Sequence, residues 1–140
     1  MATTAKRLEY GVTLDREKTA VPTTGGPPIR AGEGWSAEHL LLAGLCKCTL
    51  TSLGYHAERL GVRATADARA HGVVTKRESD GRYAFVEIDV ELDVVLDPPL
   101  TGDDLTTLLS KAENGCFVAA SLTAPPRYRW TVEGEETTPG

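Results

Sequence analysis

A chain of 140 residues is long enough to bury one hydrophobic core and short for two, so a single domain over residues 1–140 is expected. With 41% hydrophobic and 25% charged residues and a formal net charge of −5, the composition is that of a globular protein, and an acidic balance without a dense Lys/Arg run excludes ordinary nucleic-acid binding. Residues 1 to 20 carry charges throughout and lack the apolar centre of a signal peptide, and no stretch approaches the roughly 18 apolar residues of a membrane span; a cytoplasmic location without membrane association is expected.

From Arg7 to Asp15 the loose alternation of RLEYGVTLD predicts a first strand, Arg16 to Lys18 a polar turn, and a second short strand follows. Residues 22–34 are dense in Gly and Pro and predict a loop. A helix is expected from Ala37 to Leu60, with Ser36 as N-cap, Glu38 in the first turn and Gly61 as the stop; Gly54 is a candidate bend. Its apolar residues cover more than one stripe around Ala43 to Leu50, which makes it a central helix.

Two long strands come next. Val62, Ala64, Ala66, Ala68, Ala70 and Val74 share one face of the first, and Val86, Ile88, Val90, Leu92, Val94 and Leu96 one face of the second, with Ser79-Asp80-Gly81 joining them as a hairpin. A row of alanines on the inner face leaves room for a helix to approach closely. Asp97-Pro98-Pro99 ends the sheet, and a second helix is expected from about Thr101 to Glu113, broken at Asn114-Gly115 and resumed in a short segment opened by Cys116. A last strand, Tyr128 to Val132, turns Tyr128, Trp130 and Val132 inward, and residues 133–140 are expected to fray. The order predicts an α+β fold with helices packed on an antiparallel sheet.

Three cysteines in a chain expected to stay in a reducing compartment argue against a structural disulfide framework, and burial as small hydrophobes is the simple alternative to chemistry. Cys48 sits mid-helix among leucines. A free thiol has a pKa of about 8.5 and burial raises it, so a reactive Cys48 needs a cation brought from elsewhere, for which arginine is best suited. Cys46 and Cys48 form a Cys-x-Cys, but residues two apart on a helix point roughly 200° apart, so no metal site is expected and only one of the two faces a site, with Cys46 packing. Cys116 follows Asn114-Gly115 at a helix start, where backbone N–H groups stabilise a thiolate and glycine admits a neighbouring segment. His39, His56 and His71 read as surface or boundary residues.

Together SAEHLLLAGLCKCTLTSL and KAENGCFVAASL resemble the family of osmotically inducible protein C and organic hydroperoxide resistance protein, over most of the chain. Glu38 and Cys48 keep that family's ten-residue spacing, and Glu113-Asn114-Gly115-Cys116 supplies its second motif. Ala37 replaces the usual proline, Cys46 is an extra thiol, and Phe117 stands where the family often has proline.

The resemblance implies an OsmC-like α+β fold with antiparallel sheets, a long central helix, a second broken helix and an intertwined homodimer. It implies a peroxidatic Cys48, a resolving Cys116, and Glu38 paired with an arginine, which Arg16 matches best and Arg30 rivals. The implied activity is thiol-dependent reduction of organic hydroperoxides to alcohols, re-armed by a dithiol reductant such as a lipoylated protein, with no cofactor. A redox-responsive or ligand-binding protein of the same fold, without significant turnover, is the alternative. On one straight helix Glu38 and Cys48 would stand about 15 Å apart and on different sides. Either the helix bends sharply or a second chain completes the site, and the family's dimer favours the second.

Overall fold

The computed structural model describes residues 5–140. They group into two compact units, one ending at Leu40 and the other beginning at Leu41.

The N-terminal unit is a small antiparallel sheet of β1 (Val12–Leu14), β2 (Thr19–Pro22) and β3 (Ile29–Arg30), in that order. The expected first strand shortens to three residues because its neighbour ends at Pro22, which has no N–H to give, and the chain then turns through Gly25 at φ +85°. The turn between β1 and β2 is organised by Asp15, whose carboxylate accepts the backbone N–H groups of Glu17 (2.8 Å) and Thr19 (2.9 Å). The Gly/Pro segment expected as loop contains β3, which pairs with Thr19 and Ala20. Leu8, Tyr10, Val12 and Leu14 alternate along the chain and all are exposed, as is Ile29.

Helix α1 runs Ala37–Glu58 without interruption at Gly54. Ser36 caps it: its hydroxyl oxygen accepts the His39 N–H at 3.1 Å, while the Ser36 N–H donates to His39 Nδ1 at 3.3 Å. This is a reciprocal cap with histidine in the position usually taken by Glu or Gln, which gives His39 a structural role. At the other end Gly61 takes φ +72° and stops the helix as expected.

In the larger unit β4 (Arg63–Lys76), β5 (Tyr83–Asp97), β6 (Arg127–Val132) and β7 (Glu135–Thr137) form one sheet in the order β4-β5-β6-β7. The hairpin register sets Ala64, Ala66, Ala68 and Ala70 opposite Leu96, Val94, Leu92 and Val90, so the expected inner face holds over these positions. Beyond them a β-bulge at Val73/Val74 pairs Val74 with Phe85, skips Val86 and leaves Val74 exposed, so Phe85 packs on the core where Val86 was expected. Two further features depart from expectation. The sheet is mixed, because β6 pairs with β5 in parallel: the chain crosses over through α2 (Gly102–Asn114) and α3 (Phe117–Ala120) before it re-enters the sheet. Residues 135–137 do not fray, since Glu133 (φ 51°) and Gly134 (φ 80°) make a tight primed turn that returns the chain onto β6 as β7.

Leu45 and Leu53 of α1, Leu108 and Leu109 of α2, the inner residues of β5, and Trp130 of β6 close a single core. The opposite sheet face carries ion pairs such as Arg127–Asp89 (2.8 Å) and Arg129–Glu91 (3.5 Å), all in solvent and worth little to stability. Among the described residues no helix is long and apolar enough to cross a membrane.

Candidate thiol site

Three elements of the larger unit meet around two sulfurs. Cys48 projects from the middle of α1, and Cys116 is the residue immediately before α3, held there by the break at Gly115. The break is closely fitted: a Cβ on Gly115 would lie 2.7 Å from Ser52 Oγ, 3.0 Å from His56 Nε2 and 3.1 Å from the Lys111 carbonyl oxygen. Glycine is therefore what lets the α2–α3 corner rest on α1, and it brings Cys116 beside Cys48.

Both thiols are free. Cys48 is half-buried and Cys116 is 1% exposed, so an incoming reagent meets Cys48 first. Burial pushes the Cys48 thiol above its ordinary value; the backbone N–H of Val118 opposes this, the neighbouring Cys116 thiol adds to it, and the N–H of Phe117 again opposes it. These two amides belong to the first turn of α3, where the N–H groups lack intrahelical partners and are free to address a sulfur. The side chain of Phe117 is 60% exposed beside them.

Cys46 faces elsewhere, as the helical spacing predicts. It lines a shallow groove of about 530 Å³ with Ala43, Lys47, Leu50, Thr51 and Ala68, and burial pushes its thiol up as well. Of the four residues expected to carry the chemistry, the larger unit brings Cys48 and Cys116 together. Arg16, Arg30 and Glu38 belong to the N-terminal unit, Arg16 in the turn after β1, Arg30 on β3 and Glu38 in the first turn of α1. All three are exposed, and within that unit no ion pair joins Glu38 to either arginine among the described residues.

Residues beyond those expected also surround the thiols. Thr49 is fully buried, with its hydroxyl 3.6 Å from Cys116 Sγ and 3.4 Å from the Tyr128 hydroxyl. Tyr128 stacks on the buried Trp130 with ring centroids 6.1 Å apart, and the Trp130 indole N–H donates to Glu113 at 2.7 Å, fixing the end of α2 just before Cys116. Thr49 was detectable in principle: it falls four residues after Leu45, on the buried stripe of α1, where a hydroxyl needs a partner. Tyr128 and Trp130 were recognised as inward-facing, but nothing in the pattern said that a phenol would end beside a thiol.

Two cysteines gathered by a long helix and a broken one, on a mixed α+β scaffold, make this a cysteine-pair protein by architecture. The sequence places it further, for the OsmC-like protein family model matches residues 30–131, and the chain belongs to that family. Among curated proteins none matches the sequence. Solved structures of the same fold include an OsmC-like protein of unknown function from Vibrio cholerae (TM-score 0.68, 14% identity, 89% of this chain and 99% of that one). An OsmC-like protein from Mycoplasma pneumoniae is similar at TM-score 0.67 and 15% identity, over 98% of this chain and 100% of that one. The organic hydroperoxide resistance protein of Bacillus subtilis is similar at TM-score 0.56 and 17% identity, over 89% of this chain and 96% of that one.

Proposed function

We propose that this chain is a cysteine-based peroxidase that reduces organic hydroperoxides to alcohols. The observation that carries the reading is the pairing of an accessible Cys48, addressed by two backbone amides, with a sealed Cys116 at its side. In the cycle, Cys48 thiolate attacks the O–O bond, an alcohol leaves, and the sulfur becomes a sulfenic acid; Cys116 condenses with it to a disulfide and releases water. A dithiol reductant, such as a lipoylated protein, reopens the bond.

Burial leaves Cys48 short of thiolate, so the reading needs a cation. We assign that role to Arg16, oriented by Glu38, with Arg30 as the rival, and supply both from the second subunit of a homodimer. The exposed apolar row of Leu8, Tyr10, Val12 and Leu14 supports association, because a contiguous apolar patch of this kind is normally covered. In this reading residues 1–140 act as one OsmC-like domain in a cytoplasmic dimer.

The test is a titration of reduced protein with cumene hydroperoxide, counting thiols. Rapid loss of two thiols per chain, abolished by Cys48→Ser and accompanied by a Cys48–Cys116 disulfide in mass spectra, is expected. Slow loss insensitive to Cys48→Ser would sink the proposal. The raised Cys48 thiol favours a second reading, a redox-responsive protein without significant turnover; it forms the same disulfide at a rate too low to protect against added hydroperoxide.

A further inference from the structure

Cys116 lies in the hydrophobic core, in one cluster with Leu45, Leu108, Ala112 and Trp130, and two hydroxyls interrupt that setting. The Thr49 hydroxyl has three neighbours: the Leu45 carbonyl at 2.9 Å, the Tyr128 hydroxyl at 3.4 Å and Cys116 Sγ at 3.6 Å. Packing alone asks for neither hydroxyl, since valine has the shape of threonine and phenylalanine that of tyrosine. Their protons can be followed through a change of charge on the sulfur. With Cys116 protonated, Thr49 donates to the Leu45 carbonyl and accepts from Tyr128. With Cys116 as a thiolate, the Thr49 O–H turns about its Cβ–Oγ1 bond towards the sulfur, while Tyr128 still donates to Thr49 Oγ1. The Leu45 carbonyl keeps its helical bond from the Thr49 backbone N–H and is not orphaned.

We propose that Thr49 and Tyr128 are positioning residues for Cys116, a hydroxyl pair that steadies negative charge on its sulfur when it attacks oxidised Cys48 and when it leaves during reduction. The inference rests on Cys48 and Cys116 working as the peroxidase pair. In the forward step the Cys116 sulfur forms a bond to Cys48 Sγ, the S–O bond of the sulfenic acid breaks, and the departing hydroxide takes up the proton Cys116 has lost, giving water. In the reverse step a dithiol attacks Cys48 Sγ, the S–S bond breaks, and Cys116 leaves as thiolate before being protonated. Burial pushes the Tyr128 phenol up to about 12, so it remains a donor while thiols titrate. The titratable groups around Cys116 are Cys48 and His56 on α1, Glu113 on α2 and Tyr128 on β6, and Glu113 is engaged by the Trp130 indole.

The experiment uses full-length protein in a Cys46→Ala background, reacted with dithiobis(nitrobenzoate). Cys48 displaces the first thionitrobenzoate and forms a mixed disulfide; Cys116 then displaces the second, so the second phase reads its attack without any peroxide. Thr49→Val and Tyr128→Phe should both leave the first phase unchanged. Thr49→Val should slow the second at least about tenfold at neutral pH, as the loss of one hydrogen bond to a charged group requires, and Tyr128→Phe, which removes only the bond that orients Thr49, should slow it less. The deficit should narrow as pH rises, and Thr49→Ser should restore the rate. A second phase unchanged in both variants, or slowed equally at every pH and by Thr49→Ser too, overturns the proposal. If cumene hydroperoxide leaves Cys48 untouched while the second phase responds as expected, the peroxidase reading fails and the role of the hydroxyls stands.

Discussion

Replacing Gly115 by alanine puts one methyl group where the structure has no room for it. The backbone there is at φ −89°, which alanine adopts freely, so the effect is steric rather than conformational. The new Cβ would lie 2.7 Å from Ser52 Oγ, 3.0 Å from His56 Nε2 and 3.1 Å from the Lys111 carbonyl oxygen, and gaps of about 0.3 to 0.7 Å must open to reach ordinary contact. Ser52 can rotate away, but the Lys111 carbonyl is helix backbone and moves only with α2. Overpacking of this kind costs ~1–3 kcal/mol. The stiffer unfolded chain returns ~0.4–1 kcal/mol. A net loss of about 1–2 kcal/mol corresponds to a Tm lower by about 3–7 °C for a chain of this size. Because Cys116 is the next residue, the shift also draws the two sulfurs apart, and formation of the Cys48–Cys116 disulfide should slow by more than the stability loss alone implies. Thermal melting of the reduced protein and timed mass spectrometry after one equivalent of cumene hydroperoxide measure the two effects. Adding Ser52→Ala removes the nearest clash and should recover part of both. A Gly115→Ala protein that melts no lower and closes its disulfide at the wild-type rate would refute the account of how the corner is fitted.

If the proposed dimer shares its sites, Arg16→Ala and Cys48→Ser chains should each be inactive alone, yet equimolar chains refolded together should regain about a quarter of wild-type peroxidase activity, since half the dimers would be mixed and each mixed dimer would hold one intact site; no recovery would place Arg16 and Cys48 in the same chain or remove Arg16 from the mechanism. Burial, the leading cause, raises the Cys48 thiol, so the rate of its oxidation should climb with pH through neutrality, and Arg16→Ala should move the midpoint of that climb higher. The sign carries over to stability: the folded chain holds this proton more tightly than the unfolded one, so the contribution is complete below the ordinary value of 9.0 and is lost as pH rises through the raised folded value. Denaturant titrations should therefore show wild type losing stability more steeply than Cys48→Ser across that window; parallel curves would mean that Cys48 is not held protonated by the fold.

The elements most legible in the sequence were those whose period left no choice. Alternation over Ile88 to Leu96 identified β5 and its inner face, and the stop at Gly61 and the cap at Ser36 bounded α1 to within a few residues of its observed ends; the bulge that displaces Val86 leaves no mark in the alternation. Sheet direction was not legible. The pattern of Tyr128, Trp130 and Val132 is the same whether β6 runs parallel or antiparallel to β5, and only the crossover through α2 and α3 decides it. The sequence Glu133-Gly134 was a hairpin signal hidden by the charged tail that follows, so β7 was missed. Of the site, spacing assigned the faces of Cys46 and Cys48 correctly, and Gly115 was recognised as a place of close approach. Thr49 and Tyr128 escaped because their meeting depends on a contact across 79 positions of the chain, which no local pattern encodes. Arg16 and Glu38 rest on resemblance to the family, and the partner-site experiment decides their part.

If Cys48 is oxidised by hydroperoxides as proposed, its unequal exposure relative to Cys116 also governs how the molecule wears out. A sulfenic acid that meets a second hydroperoxide before it meets its resolving thiol goes on to sulfinic acid, a lesion most cells cannot reverse. Cys116, at 1% exposure, is shielded from that fate, so over-oxidation collects on the helix and spares the corner. In the proposed cycle, the time Cys116 takes to close the disulfide would set the oxidant load at which the protein passes from scavenger to casualty.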